Sequence, residues 1–174
     1  MVRVSDLAQQ LGVSLMTVRR EKELARRLSS IYAEWERRPI ERRCTGLADC
    51  CRFRLVGHTP YLTKGEALVA ARAWKSAGRR DVTMPADGSC PFLHPKTGKC
   101  RIYDGRPFGC RTHYCAAAGG PATRSEVRDL IQRLEEIDHR LGGKGAVNLP
   151  AAVREALSRN KKDRTGKPVI RDHP

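Results

Sequence analysis

Seven cysteines in two groups constrain this chain more than any other feature of its sequence. The segment CTGLADCC supplies Cys44, Cys50 and Cys51, and SCPFLHPKTGKCRIYDGRPFGCRTHYC supplies Cys90, Cys100, Cys110 and Cys115. Glycine, proline and aspartate between them permit the turns that bring distant thiols together. Disulfides are the competing use. Their number is odd, however, and Cys50 and Cys51 are adjacent, which suits them poorly to bridging each other. The opening MVRVSDLAQQLG has no long apolar run, so neither a secretion signal nor a membrane span is expected and the chain is placed in the cytoplasm. Thiols stay reduced there and are free for metal. A thiolate is soft and anionic, which suits iron or zinc rather than magnesium or calcium. With aromatics at only 5% of the residues, a metal is the expected staple of the core. It should contribute on the order of 10 kcal/mol to folding.

The rest of the pattern predicts a mainly α protein with little β: a small, irregular, metal-stapled cysteine domain flanked by helices. Residues 4–11 read as a short helix, and Gly12-Val13-Ser14 as a turn whose serine caps a second helix. That helix runs to about Arg38 on the spacing of Leu24, Leu28, Ile31, Tyr32 and Trp35, and Pro39 closes it. From Cys44 to Gly120 the chain is loop-rich, with a helix from the Thr63/Glu66 capping box to Gly78 and a short strand near Arg101–Tyr103. A second capping box, Thr123/Glu126, opens a helix striped with Val127, Leu130, Ile131, Leu134, Ile137 and Leu141. A short helix is expected over Pro150–Ser158. These readings divide the chain into residues 1–43, 44–120, 121–160 and a basic, flexible tail, 161–174.

The cysteine region resembles a bacterial family of zinc- or iron-chelating domains named for a CxxCxxCC motif, which includes YkgJ-type proteins. The matching pieces are Cys44-Thr45-Gly46, Cys50-Cys51, Leu62-Thr63 with Glu66, Cys90-Pro91-Phe92-Leu93, Cys100 to Asp104, and Arg106-Pro107 leading to Cys110-Arg111. The resemblance implies a metal centre, an iron–sulfur cluster or zinc, ligated by these cysteines. Where the motif has its second cysteine this chain has Leu47. Cys115 is the preferred replacement, ahead of His113, because thiolates dominate iron–sulfur ligation. The resemblance also implies an enzymatic alternative, a lysine N-methylase using S-adenosylmethionine, although no glycine-rich fingerprint and no CxxxCxxC triplet accompany it. A metal carrier or assembly subunit, binding a protein partner through its amphipathic helices, is a further reading.

Residues 4–21 resemble the helix-turn-helix of bacterial transcription regulators, with Leu7, Ala8, Leu11, Gly12, Val13 and Val18 at the packing positions. Ser14, Thr17, Arg19 and Arg20 would then face DNA. The net charge of +15, of which +7 falls on residues 44–120, favours nucleic acid as a partner. Arginines that offset metal thiolates account for the same excess. The five histidines, His58, His94, His113, His139 and His173, show no metal-pair spacing, and Glu66, Asp87 and Asp104 read as cap and turn residues.

Overall fold

Helical spacing of apolar residues generates the first and fifth helices, which pack on each other. The computed structural model describes residues 15–42, 44, 46 and 48–165, with side chains from 22 to 159. The expected helix at 4–11 and the turn at 12–14 lie outside the described residues. Helix α1 (Leu15–Arg37) buries Leu24, Leu28, Ile31, Tyr32 and Trp35, and it ends two residues before Pro39, where a helix cannot readily continue. Helix α5 (Arg124–Arg140) answers with Val127, Leu130, Leu134 and Ile137. Ile131, assigned to the same stripe by spacing, stands 37% exposed at its edge.

Between these helices the chain is broken into short elements: a 3-10 turn at Asp49–Cys51, α2 (Phe53–Val56), β1 (Tyr61–Leu62), α3 (Lys64–Ser76), a second 3-10 turn at Tyr103–Gly105, α4 (Phe108–Thr112) and a third at Ala116–Ala118. After α5 come β2 (Val147–Asn148) and α6 (Leu149–Thr165). The two strands pair antiparallel, Tyr61 opposite Asn148 and Leu62 opposite Val147. The protein is therefore mainly α, with a two-stranded ribbon. No described helix is long and apolar enough to cross a membrane.

A second core lies under the cysteine region. Helix α3 presents Ala67, Ala70 and Ala71, small side chains that let α6 approach with Leu149, Val153, Ala156 and Leu157. Trp74 packs on Phe92 with ring centroids 5.0 Å apart and donates its indole N–H to the Asp81 carbonyl. Phe108 instead joins the α1–α5 core, against Tyr32 and Trp35. Buried Asp138 ties the helical ends together: its carboxylate accepts the Lys64 N–H at 2.7 Å and the Gly145 N–H at 3.0 Å. The Lys64 ammonium in turn caps the Leu141 carbonyl at the end of α5, where a cation complements the helix dipole.

Two expectations need correction. No strand forms at Arg101–Tyr103: Cys100 makes an isolated bridge to Leu93, Ile102 turns into the core, and Tyr103–Gly105 coils into a 3-10 turn. Helix α6 passes the expected end at Ser158 and reaches Thr165. Residues 159–165 contain neither glycine nor proline, and the sequence breakers come only at Gly166 and Pro168.

Arg42 clasps the segment after α1 to the start of α5 through a two-pronged pair with Glu126, at 2.7 and 3.2 Å. Together with the Thr123 N–H, this holds the Glu126 carboxyl at about 2, down from an ordinary 4.5. A depressed carboxyl stabilises the fold above its ordinary range, and that contribution disappears as pH falls from about 4.5 towards 2. Urea midpoints measured across pH 2–7 should therefore fall more shallowly on the acid side in Glu126→Gln than in the wild type, from a lower starting value.

Candidate metal centre

Six of the seven cysteines meet around one cavity of ≈ 270 Å³: Cys44, Cys50, Cys51, Cys90, Cys100 and Cys110. Each is delivered by local structure of a recognisable kind. Cys50 and Cys51 ride on the 3-10 turn that follows Ala48, which adopts a left-handed φ of 59° unusual for a residue with a side chain. The Cys90 N–H donates to the Cys51 carbonyl at 2.7 Å, so the two groups of cysteines are joined through the backbone. Cys100 returns on a small hairpin, held by the Leu93 bridge and by the His94 N–H donating to the Lys99 carbonyl. Cys110 sits in α4, and Cys44 stands exposed at the rim.

Cys115 is not among the residues lining the cavity; its carbonyl accepts the Ala118 and Gly120 N–H groups of the following turn. His113 does line it, half-buried, with its ring stacked on His58 at 4.8 Å between centroids. The spacing of these two histidines along the chain gave no hint of this contact. His94 serves its own loop, its Nδ1 accepting the Lys96 and Thr97 N–H groups. Asp87 and Glu66 act as turn and cap residues, as expected. Of the residues assigned to DNA, Ser14 is outside the described residues; Thr17, Arg19 and Arg20 lie in α1, with side chains outside them.

The electrostatics of the cavity suit a cation. All seven cysteines are free thiols. Cys50 donates to Cys51, which raises the Cys50 pKa, and burial adds to the effect. At Cys51 the hydrogen bond accepted from Cys50 lowers the pKa, but donation to Cys90 and burial outweigh it and push the thiol up to about 12. Burial raises Cys100, and it raises Cys110 further with the help of the neighbouring sulfurs. Thiolates packed this closely repel one another, and a bound cation reverses that logic by favouring deprotonation. Arg106, on the cavity wall, works in the same direction on Cys50, Cys100 and Cys110. At His113 burial and then His58 lower the pKa, which favours the neutral ring, the form that can ligate a metal.

Among the described residues no carboxylate lines the cavity, and its walls are completed by Phe53, Phe92, Ile102 and Leu149. Soft sulfur and imidazole donors in an apolar setting fit zinc or iron and not the hard cations. Among the described residues, no three His, Cys, Asp or Glu side chains form a group that holds one metal ion as they stand. The thiols share the wall of one space.

A second layer fixes this wall. Glu66 is fully buried; beyond capping α3 through Thr63, it accepts the Phe108 N–H at 2.7 Å and so anchors the helix that carries Cys110. Burial raises its pKa against the pull of these hydrogen bonds. Arg111, also buried, places its guanidinium over the Tyr32 ring and donates to the Asp104 and Arg106 carbonyls and to Glu36. It thereby couples the loop after Cys100 to α1.

Residues 43–136, more than half of the chain, match the model of a family named CxxCxxCC and described as "Putative zinc- or iron-chelating domain". No curated protein and no solved structure matches the chain.

Replacing Glu66 by alanine leaves the Thr63 and Phe108 N–H groups without their acceptor. The expected cost is about 1–3 kcal/mol for each buried donor left unpaired. Urea denaturation of the metal-loaded chain should show that loss, and an unchanged midpoint would contradict the role given to Glu66.

Proposed function

The chain belongs to the CxxCxxCC family of zinc- or iron-chelating domains, and we propose that it holds an iron–sulfur cluster on the cysteines of this cavity. The observation that carries the reading is the convergence of six thiols, drawn from both cysteine groups, on one apolar cavity of ≈ 270 Å³. A single zinc ion asks four donors to close on one point at about 2.3 Å. An iron–sulfur cluster spreads its irons over a cage, and each takes its own thiolate. Sulfurs set around a cavity favour the second arrangement. Cys51, Cys90, Cys100 and Cys110 lie deepest in the fold, and the thiolate ligands are proposed to come chiefly from these, with Cys44 and Cys50 nearer the rim. When bound, the cluster supplies covalent cross-links between loops that have few contacts of their own and, as a redox centre, sensitivity to electron supply.

Protein purified anaerobically should be brown, with broad charge-transfer absorption and bound iron and sulfide. Cys100→Ser and Cys110→Ser should each lower the metal content several-fold. A colourless protein carrying one zinc per chain would replace the cluster with the other metal of the family, and metal content untouched by both substitutions would remove the cavity as its site.

The charge balance supports a second reading, association with nucleic acid as a regulator whose metal centre is structural or sensory. A net charge of +15 attracts polyanions, and Ser14, Thr17, Arg19 and Arg20 are the proposed contacts. Binding to a DNA duplex, measured by fluorescence anisotropy, should weaken with salt and should lose part of its salt slope in the Arg19→Ala/Arg20→Ala double variant. Binding indifferent to both salt and substitution would count against it.

A further inference from the structure

Resting on the metal reading above, we propose that His113 is itself a ligand, so that the centre carries one imidazole among its thiolates. The CxxCxxCC pattern, laid on Cys44, Cys50 and Cys51, falls on Leu47 at its second position, so the pattern lacks one of its thiols here. Two nearby side chains have the right chemistry to replace it, and the fold separates them. Cys115 begins the turn at Ala116–Ala118 and is not part of the cavity lining, whereas His113 is.

The position of His113 suits the role. It follows Cys110 by three residues as the capping residue just past the end of α4, and both side chains line the cavity. Its backbone is fixed by donation to the Gly109 carbonyl at 3.1 Å. Its ring is fixed by the His58 ring, which lies 11° from parallel. A ligating imidazole needs its plane set by a neighbour, and outer partners of this kind tune metal affinity. His58 is exposed and outside the cavity, so it is the brace rather than the ligand. Imidazole donors suit both zinc and iron. Replacing thiolate by histidine on an iron–sulfur centre also raises its reduction potential.

X-ray absorption at the edge of whichever metal the full chain carries tests this directly. The wild type should show one light scatterer among the sulfurs, with the outer-shell scattering of an imidazole ring. His113→Cys should keep the metal with an all-sulfur shell, and Cys115→Ser should leave the wild-type shell intact. His58→Ala should retain the imidazole signature and weaken metal retention against a chelator; His113→Ala should cost more. An all-sulfur shell in the wild type, or an imidazole signature that survives in His113→Ala, overturns the proposal while leaving the thiol cavity in place. Metal content unaffected by Cys100→Ser and Cys110→Ser overturns the cavity reading, and this proposal with it.

Discussion

One buried carboxylate joins the parts of this fold. Glu66 receives Thr63 at the start of α3 and Phe108 at the start of α4, residues far apart in the chain, on its two oxygens. An isolated carboxylate at that depth would be strongly unfavourable, and it is tolerated because three donors surround it. Phe108 then inserts into the α1–α5 core, while Cys110, two residues on, turns to the cavity. The same short helix thus belongs to both halves of the molecule, and Glu66 sets where it begins.

How much of this can be read from sequence depends on the range of the interaction. Both capping boxes, the stripes of α1 and α5 and the termini at Gly78 and Gly142 are visible because each depends on neighbours within a few residues. The role of Glu66 is half-visible: its cap on Thr63 is local, whereas its bond to Phe108 spans the loops. Gly105 is similar. Its pairing with Asp104 announces a turn, but its small size matters because a Cβ there would lie 2.5 Å from the Ala73 side chain of α3. The His58–His113 stack and the absence of Cys115 from the cavity wall have no local signature. They arise from loop paths that no periodicity encodes.

The two cores explain why so few aromatic residues suffice. Tyr32, Trp35 and Phe108 are concentrated in one, and Trp74, Phe92 and Phe53 in the other. The cavity lies beside the second core and is bounded partly by it, and the cysteine-bearing loops reach into that core through Cys90, Phe92 and Ile102. Arg106 on its wall places part of the basic excess of this region beside sulfur.

Leu149 has an implication for how the centre comes into being. It is fully buried, forms part of the cavity wall and donates its N–H to the Pro60 carbonyl at 2.8 Å, yet it lies well after the last cysteine and beyond the region that matches the family. A chain growing from its N-terminus therefore exposes every thiol before the helix that walls them in has been synthesised. For that interval the sulfurs are open to whatever metal or oxidant the cell presents, and arrival of α6 adds the last part of the wall beside them.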